Sequence, residues 1–213
     1  VMVELSVSPV RDGNAWRAVA IARDITERKK AEEALRLVAE ELSVESGADF
    51  FQAAAQGLAK LLGADCVLVG SLVADRQSVM VVGLVAPDGV ACDKRYTLSG
   101  TPCAHVIEKG YALYTSSVAA LFPEAQTFTG LGVEAYAGVS LIDSAGNPIG
   151  IIAAMWRRPL EENEHPEPVL RIFSGRAGAE LARSRSDTNL RESERARRTL
   201  SYAVEQGPSG VVI

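Results

Sequence analysis

The stretch EAYAGVSLIDSAGNPIGIIAAMW (residues 134–156) decides the fold class. Two mainly apolar runs, 134–142 and 148–156, flank Ser144-Ala145-Gly146-Asn147, a sequence typical of a tight hairpin turn. We therefore predict two antiparallel strands that are joined by this turn.

Two further strands are predicted upstream, at residues 65–73 and 78–86. They surround Ala74-Asp75-Arg76-Gln77, and nearly every position in both runs is apolar. A strand with one face in solvent alternates apolar and polar residues, whereas a continuous apolar run is typical of a strand buried on both faces. We therefore expect both faces of this sheet to be covered.

Residues 87–132 follow a less regular pattern. Thr101-Pro102 is typical of a helix start, with threonine at the N-cap and proline in the first turn. We expect a short helix from Pro102 to about Lys109, ended by Gly110. Two more elements are predicted in this part: a strand at 113–115 and a short helix at 116–122.

Two longer helices are predicted outside this region. One begins after Ser46-Gly47 and ends at Gly63, a residue typical of helix C-termini. Its apolar face consists of Phe50, Phe51, Ala54, Leu58, Leu61 and Leu62. The other begins near Pro166 and runs past Leu200, with a local disturbance around residues 184–189.

The first 22 residues predict two strands. Val3, Leu5 and Val7 alternate with polar residues, and Arg11-Asp12-Gly13-Asn14 is a turn sequence. An isolated hairpin is only marginally stable in water. We therefore expect these strands to belong to a larger sheet whose earlier part lies outside this chain.

A charged helix should follow Asp24-Ile25-Thr26, where Asp24 or Thr26 can act as the N-cap. Its apolar residues recur at heptad spacing, which is typical of a coiled coil, and residues near the C-terminus keep an approximate heptad as well. So narrow an apolar stripe needs a partner helix, and we predict a parallel homodimer. The predicted dimer positions are Ala31, Leu35, Val38, Leu42, Leu190 and Leu200.

Composition excludes several function classes. The net charge of −5 gives no electrostatic footprint for nucleic acid, and no charge-free apolar run approaches the 18 residues that a membrane-spanning helix needs. The three cysteines lack CxxC spacing and fit a reducing cytoplasm, which we predict as the location. With two histidines in the chain, a dedicated metal site is not expected.

Residues 24–35, DITERKKAEEAL, resemble the exit of PAS sensor domains, where a last strand ends in an aspartate-isoleucine-threonine junction and a signalling helix follows. Residues 200–213, LSYAVEQGPSGVVI, resemble the first helix and first strand of another PAS domain. The resemblance implies that truncated PAS domains flank the central part of the chain.

Residues 36–184 resemble a GAF domain. The matching segments are Gly63-Ala64-Asp65, Leu98-Ser99-Gly100-Thr101-Pro102-Cys103, Phe122-Pro123, Tyr136-Ala137-Gly138-Val139-Ser140-Leu141, Gly146 and Ile149-Gly150-Ile151. The resemblance implies an α+β fold with a central antiparallel sheet. A helical bundle would pack on one face, short helices and loops would enclose a ligand pocket on the other, and long signalling helices would flank the domain.

The domain organisation expected from both resemblances has five parts. These are the end of a PAS domain at 1–24, a signalling helix at 25–45, a GAF domain at 46–184, a helical linker at 185–200 and the start of a second PAS domain at 201–213.

Cys103 and His105 lie at the start of the predicted helix. The positive end of a helix lowers the pKa of a thiol, so the pair could form a redox, haem, metal or bilin site. Bilin-binding GAF domains carry a cysteine-histidine pair before the fifth strand, and the matching residues 128–135 have neither residue. We predict neither bilin nor haem. The alternative is a half-buried structural cysteine beside a surface histidine.

Five further residues fall in segments that line the pocket in this family: Tyr114, Phe122, Gln126, Tyr136 and Ser140. A largely apolar pocket with a few polar groups suits a small organic ligand. The alternative is that these aromatic side chains fill the cavity as core. The asparagine-lysine, phenylalanine and aspartate-glutamate constellation of cyclic-nucleotide GAF domains is absent from the sequence.

The acidic residues of the turn and the loop before the last helix are expected to lie in solvent: Asp143, Glu161, Glu162, Glu164 and Glu167. No nucleophile elbow, phosphate loop or pair of catalytic carboxylates is present, so we predict that this segment is not an enzyme.

The predicted function is a sensory module of a bacterial signalling protein of histidine kinase or diguanylate cyclase type. It would bind an unidentified small molecule and relay the event through dimeric helices to an output domain in the same protein. One alternative is a ligand-free dimerisation spacer. Another is an enzyme of the free methionine sulfoxide reductase type, with Cys92 and Cys103 as the thiols to test.

Overall fold

The computed structural model describes residues 2–13, 15–36, 46–87, 94–125 and 130–205. The strands in this part are β1 (Val3–Asp12), β2 (Ala15–Asp24), β3 (Cys66–Leu72), β4 (Ser78–Val85), β5 (Arg95–Thr97), β6 (Tyr111–Tyr114), β7 (Ala135–Ile142) and β8 (Pro148–Trp156). The helices are α1 (Thr26–Arg36), α2 (Ala48–Leu62), α3 (Pro102–Lys109), α4 (Val118–Leu121) and α5 (Glu167–Glu205).

Six strands form one antiparallel sheet in the order β5-β4-β3-β8-β7-β6. The predicted hairpin in residues 134–156 is confirmed as β7 and β8, with Gly146 at a φ of 82° in the turn. The two predicted upstream strands are confirmed as β3 and β4. These four strands, β3, β4, β7 and β8, lie inside the sheet, and β5 and β6 form its edges.

Both faces of the sheet are covered, as the apolar strands require. The helical layer, made of α2 and α5, packs on one face around Phe50, Leu58, Trp156, Leu170 and Phe173. The opposite face packs against α3 and α4 through a second core. The α+β architecture implied by the sequence is thus confirmed.

Two glycines bring the helical layer close to the sheet. Gly83 of β4 lies against the Phe51 carbonyl group of α2, and Gly178 of α5 lies against the Ile142 carbonyl group of β7. A Cβ atom at Gly178 would stand 2.8 Å from the Ile142 oxygen, which is closer than real contacts of this kind. The absence of a side chain therefore sets the spacing between α5 and β7.

The predicted helix α3 is confirmed from Pro102 to Lys109, and Gly110 ends it with a φ of 83°. Its neighbours differ from expectation. Strand β6 begins at Tyr111 because it pairs with β7, and α4 is shorter than the predicted helix at 116–122. Strand β5 was not predicted, since its three residues form a strand by pairing with β4.

Strands β1 and β2 form a separate hairpin that leads into α1. The Asp24 carboxylate accepts a hydrogen bond from the Thr26 amide at 2.8 Å, so Asp24 caps the helix as expected. Helix α1 then packs against α5 and buries Ala34.

The predicted dimer stripe of α1 therefore differs from the face that packs on the helical layer. Leu35 is 58% exposed and Ala31 is half-buried. Val38 and Leu42 lie outside the described residues. The residue that the sequence did not indicate, Ala34, makes the contact with the helical layer.

Helix α5 is continuous from Glu167 to Glu205, so the predicted disturbance around residues 184–189 is wrong. The hydroxyls of Ser186 and Thr188 donate to the carbonyl oxygens of Ala182 and Ser184, one helical turn earlier. Their hydrogen bonds are thus made within the helix, which continues without a break. Arg185 anchors this part of α5 by donating to Ser71 Oγ at 2.9 Å and to the carbonyl oxygens of Leu72 and Ile149.

Within the residues that the structure describes, no helix has the length and apolar character needed to cross a bilayer.

The close approach at Gly178 leads to a stability prediction. Gly178→Ala should lower the free energy of unfolding by about 1–3 kcal/mol, because the new methyl group collides with the backbone of β7. Gly175→Ala on the same helix is the matched control, since no described residue has an atom within 4 Å of the position that its new methyl group would take. It should raise the free energy of unfolding by about 0.5–1 kcal/mol through helix propensity. Urea unfolding followed by circular dichroism measures both, and equal effects would contradict the close approach.

Candidate functional site

The face of the sheet under α3 carries a group of aromatic rings around one thiol. We call this group the aromatic–thiol cluster; its members are Tyr96, Cys103, His105, Tyr114, Phe122 and Tyr136. It combines the short strand β5, the start of α3, the edge strand β6, the end of α4 and the first part of β7. Segments far apart in sequence therefore meet at one place.

Cys103 lies at the centre of the cluster and is 1% exposed. The hydroxyls of Tyr96 and Tyr136 each donate to its Sγ atom at 3.3 Å. Pro102 is the first residue of α3, and Cys103 follows it on the buried side of the helix. The thiol is thus held between two phenol groups.

The expectation that the helix end lowers the pKa of Cys103 is wrong. Burial raises that pKa, and this outweighs the hydrogen bonds from Tyr136, Tyr96 and Thr101, which lower it. A thiolate inside the core loses the hydration that it has in water, and a helix of two turns does not replace it. Cys103 is therefore protonated at neutral pH, and it is fully rather than half-buried.

Tyr136 occupies the space beneath α3 because its neighbour on the strand has no side chain. A Cβ atom at Gly138 would lie 2.5 Å from Tyr136 Oη and 2.8 Å from a methyl carbon of Val106. The Tyr136 side chain is fully buried, and burial holds its pKa well above the usual value. The pattern Tyr136-Ala137-Gly138 thus seats a large ring against a helix.

The outer part of the cluster is half-buried. A hydrogen bond links His105 Nδ1 to the Tyr114 hydroxyl. The Phe122 ring lies edge-on to both, with centroid distances of 5.5 Å to His105 and 5.1 Å to Tyr114. The ring centroids of Tyr114 and Tyr136 lie 6.3 Å apart. The outer rings therefore reach the buried thiol through Tyr136. His105 is not the separate surface histidine of the structural alternative.

The structure brings together five of the seven residues predicted for the site: Cys103, His105, Tyr114, Phe122 and Tyr136. Ser140 lies further along β7, where its hydroxyl donates to the Gly110 carbonyl oxygen at 3.4 Å. Gln126 falls outside the described residues. Among the dimer positions, Leu190 is exposed and the side chain of Leu200 is not described.

Sequence reasoning missed Tyr96 and the part that Thr101 takes in the hydrogen bonds of Cys103. The signal for Tyr96 was weak: Arg95-Tyr96-Thr97 contains two residues that favour strands, in a run too short to predict one. Thr101 is the N-cap residue of α3, as predicted, but its hydroxyl donates to the Leu98 carbonyl oxygen at 2.6 Å and makes no side-chain capping bond to α3.

Away from the aromatic–thiol cluster, a cleft of about 480 Å³ lies between the start of α1 and the loop that precedes α5. In it Arg158 donates two hydrogen bonds of 2.7 Å to Glu164, and this pairing lowers the pKa of Glu164 to about 2. Glu164, which we expected to lie in solvent, is therefore half-buried and held in an ion pair. The cleft also contains Asp24, Arg28 and Lys30, so both signs of charge line it.

In the described part of the chain, no three histidine, cysteine, aspartate or glutamate side chains form a group that could hold a metal ion.

The two hydrogen bonds to Cys103 lead to a matched pair of variants. Tyr136→Phe removes one donor and should lower the free energy of unfolding by about 1 kcal/mol. Tyr111→Phe is the control, because the Tyr111 hydroxyl is buried and has no hydrogen-bond partner among the residues that the structure describes, so its loss should be neutral or stabilising. Urea unfolding tests both. A larger loss for Tyr111→Phe would contradict the assigned hydrogen bonds.

Comparisons with known proteins agree with this architecture. The GAF domain model matches residues 46–181. No curated protein matches the sequence. Among solved structures, the GAF domain of an Acinetobacter phosphoenolpyruvate-protein phosphotransferase is 15% identical with a TM-score of 0.60, over 75% of this chain and 97% of that one.

Two other similar structures are from bacteriophytochrome RpBphP3 of the photosynthetic bacterium R. palustris. One is 13% identical with a TM-score of 0.58, over 97% of this chain and 50% of that one. The other, its chromophore-binding domain, is 14% identical with a TM-score of 0.56, over 84% and 70%. The chain thus spans half the length of the first bacteriophytochrome structure.

At these identities the structural likeness concerns the fold alone. The family model, in contrast, covers more than half of the chain and includes α2, the six-stranded sheet and the first part of α5. This chain therefore belongs to the GAF domain family.

Proposed function

We propose that this chain is the sensory and regulatory segment of a bacterial signal-transduction protein of the sensor histidine kinase or diguanylate cyclase type. A small organic molecule binds at the aromatic–thiol cluster, and its binding shifts the flanking helices α1 and α5 within a parallel homodimer. An output domain elsewhere in the same cytoplasmic protein responds to that shift.

The position of β7 between the cluster and α5 is the observation that carries the proposal. Tyr136 faces the cluster, whereas Ala137 and Val139 belong to the core under the helical layer. Helix α5 packs directly on β7, with Gly178 against the strand backbone. Protein interiors are close-packed and transmit displacement. A ligand that moves Tyr136 would therefore move β7 and with it α5.

The outer rings of the cluster indicate the chemistry of the ligand. His105, Tyr114 and Phe122 are half-buried, so part of each ring is accessible beside the bonded pair of His105 Nδ1 and the Tyr114 hydroxyl. Mostly apolar surfaces with a few polar groups are typical of sites for small organic molecules. A planar, largely apolar molecule with one or two hydrogen-bonding groups would suit these side chains.

The exposed leucines of the flanking helices support the dimer. Leu35 of α1 is 58% exposed and Leu190 of α5 is 61% exposed. Leu190 lies more than one turn beyond Arg185, which contacts the sheet. Large apolar side chains on a charged helix surface are typical of helices that pair with a second copy. We propose that these residues contribute to the dimer.

We further propose that the β1–β2 hairpin is the end of a PAS domain and that residues 201–213 begin another. The exposed apolar residues Leu5, Val7 and Trp16 of the hairpin support the first assignment, because one face of a PAS sheet is covered. Because we assign the flanking segments to PAS domains, we also propose that the chain is part of a bacterial sensor protein.

One observation favours the alternative of a ligand-free spacer. Cys103 and Tyr136 are fully buried and bonded to each other, so this part of the layer is filled by the domain's own side chains. The sulfoxide reductase alternative is less favoured, because it needs a reactive thiol and burial raises the pKa of Cys103. Cys92 lies outside the described residues.

Native mass spectrometry of the chain purified from cells tests the proposal. The expected species contains two copies of the chain and a small molecule that is released on denaturation. His105→Ala should lower the fraction of chains with bound molecule at least tenfold, because it removes a ring and a hydrogen bond from the cluster. His165→Ala, in the exposed loop before α5, is the matched control and should leave that fraction unchanged.

A monomer without any bound molecule would contradict the proposal. A dimer without bound molecule, unaffected by either histidine variant, would favour the spacer.

A further inference from the structure

A buried carboxylate in α5 contacts the point where the chain enters the α/β domain. Glu180 is 1% exposed. Its Oε1 atom accepts a hydrogen bond from the Gly47 amide at 2.7 Å, across a separation of 133 residues. Gly47 directly precedes α2 and follows the segment that connects from α1.

The charge of this carboxylate is compensated within α5 itself. Arg183 donates to Glu180 Oε1 at 2.6 Å and to Oε2 at 3.2 Å, and Arg176 lies 3.8 Å from Oε2. Both arginines are on the same helix, one turn on either side of Glu180. The bond to Gly47 is therefore the contact in this group that joins α5 to another part of the chain.

That bond places a negative charge at the start of α2. Its N-cap residue, Gly47, has a φ of 64° and no side chain, so the helix has no side-chain cap of its own. Unpaired amides at a helix start favour a negative charge, and the Glu180 carboxylate supplies it. The hydrogen bond from Arg183, followed by that from the Gly47 amide, lowers the pKa of Glu180, so the group is ionised at neutral pH.

A second contact joins the incoming segment to the helical layer. Helix α1 packs against α5, and its Ala34 side chain is fully buried in the core of the helical layer. The incoming segment is thus fixed to α5 at Ala34 and again at Gly47. Both attachments are on the face of the sheet opposite the aromatic–thiol cluster.

We propose that Glu180 is a coupling residue, which passes a displacement of the incoming chain to α5 without involving the aromatic–thiol cluster. Helix α5 would then combine two inputs, one through β7 and one through Glu180. The inference rests on the proposed function in one respect only: it takes α5 as the helix that leads to the output domain.

Electron paramagnetic resonance distances between spin labels on the full chain test the coupling. One pair, Glu33→Cys on α1 with Ser186→Cys on α5, reports the distance between the incoming segment and α5. The other, Glu108→Cys on α3 with Ser186→Cys, reports the cluster side. Cys92 is replaced by serine, whereas the buried Cys66 and Cys103 are retained. Labelled protein is diluted with unlabelled protein so that distances within one chain dominate.

Glu180→Gln should widen the distance distribution of the α1–α5 pair at least twofold and leave the α3–α5 pair unchanged. Glu192→Gln is the matched control on an exposed position of the same helix and should change neither. If circular dichroism shows that Glu180→Gln does not fold, Glu180→Asp takes its place. That variant keeps the charge and shortens the reach to Gly47, so the same result is expected.

An unchanged α1–α5 distribution would overturn the proposal, and so would equal widening of both pairs, because that indicates general loosening. The measurement uses no ligand and no output domain. A failure to find bound molecule by mass spectrometry would therefore refute the proposed sensing site without affecting this result.

Discussion

The backbone of β7 is in contact with two layers at once, and the arrangement of the domain depends on how closely they approach it. On one side Gly138 leaves room for Tyr136 and α3, and on the other Gly178 lets α5 reach the Ile142 carbonyl group. A side chain at either glycine would separate layers that now touch. The aromatic–thiol cluster and the helical layer are therefore separated at this point only by the backbone of β7.

Local sequence was sufficient to predict much of this fold. The turn at Ser144-Ala145-Gly146-Asn147, the apolar runs of β3 and β4, and the start of α3 at Pro102 are set by neighbours in the chain. Tertiary contacts decided the remainder. Strand β5 exists because it pairs with β4, and the hydroxyls around residue 186 bond within α5 instead of breaking it.

In the candidate site, too, some features could be predicted from local sequence and others depend on tertiary contacts. Residue types and family segments were enough to select Cys103, His105, Tyr114, Phe122 and Tyr136, which do meet. The direction of the Cys103 pKa shift was predicted wrongly, because that pKa depends on burial, which spacing along the chain does not reveal. Ala34 was missed for a related reason: a heptad pattern indicates which face of a helix is apolar, but not which neighbour covers it.

The central claim is that β7 connects the cluster with α5, and amide chemical shifts measured by NMR in Gly138→Ala test it most directly. The added methyl group would press on Tyr136 and Val106, which face the cluster. Shift changes are then expected in α3, through β7 and on to the part of α5 around Gly178, which lies against Ile142 of the strand. Changes that stop at α3 and β7, with α5 unaltered, would contradict the claim.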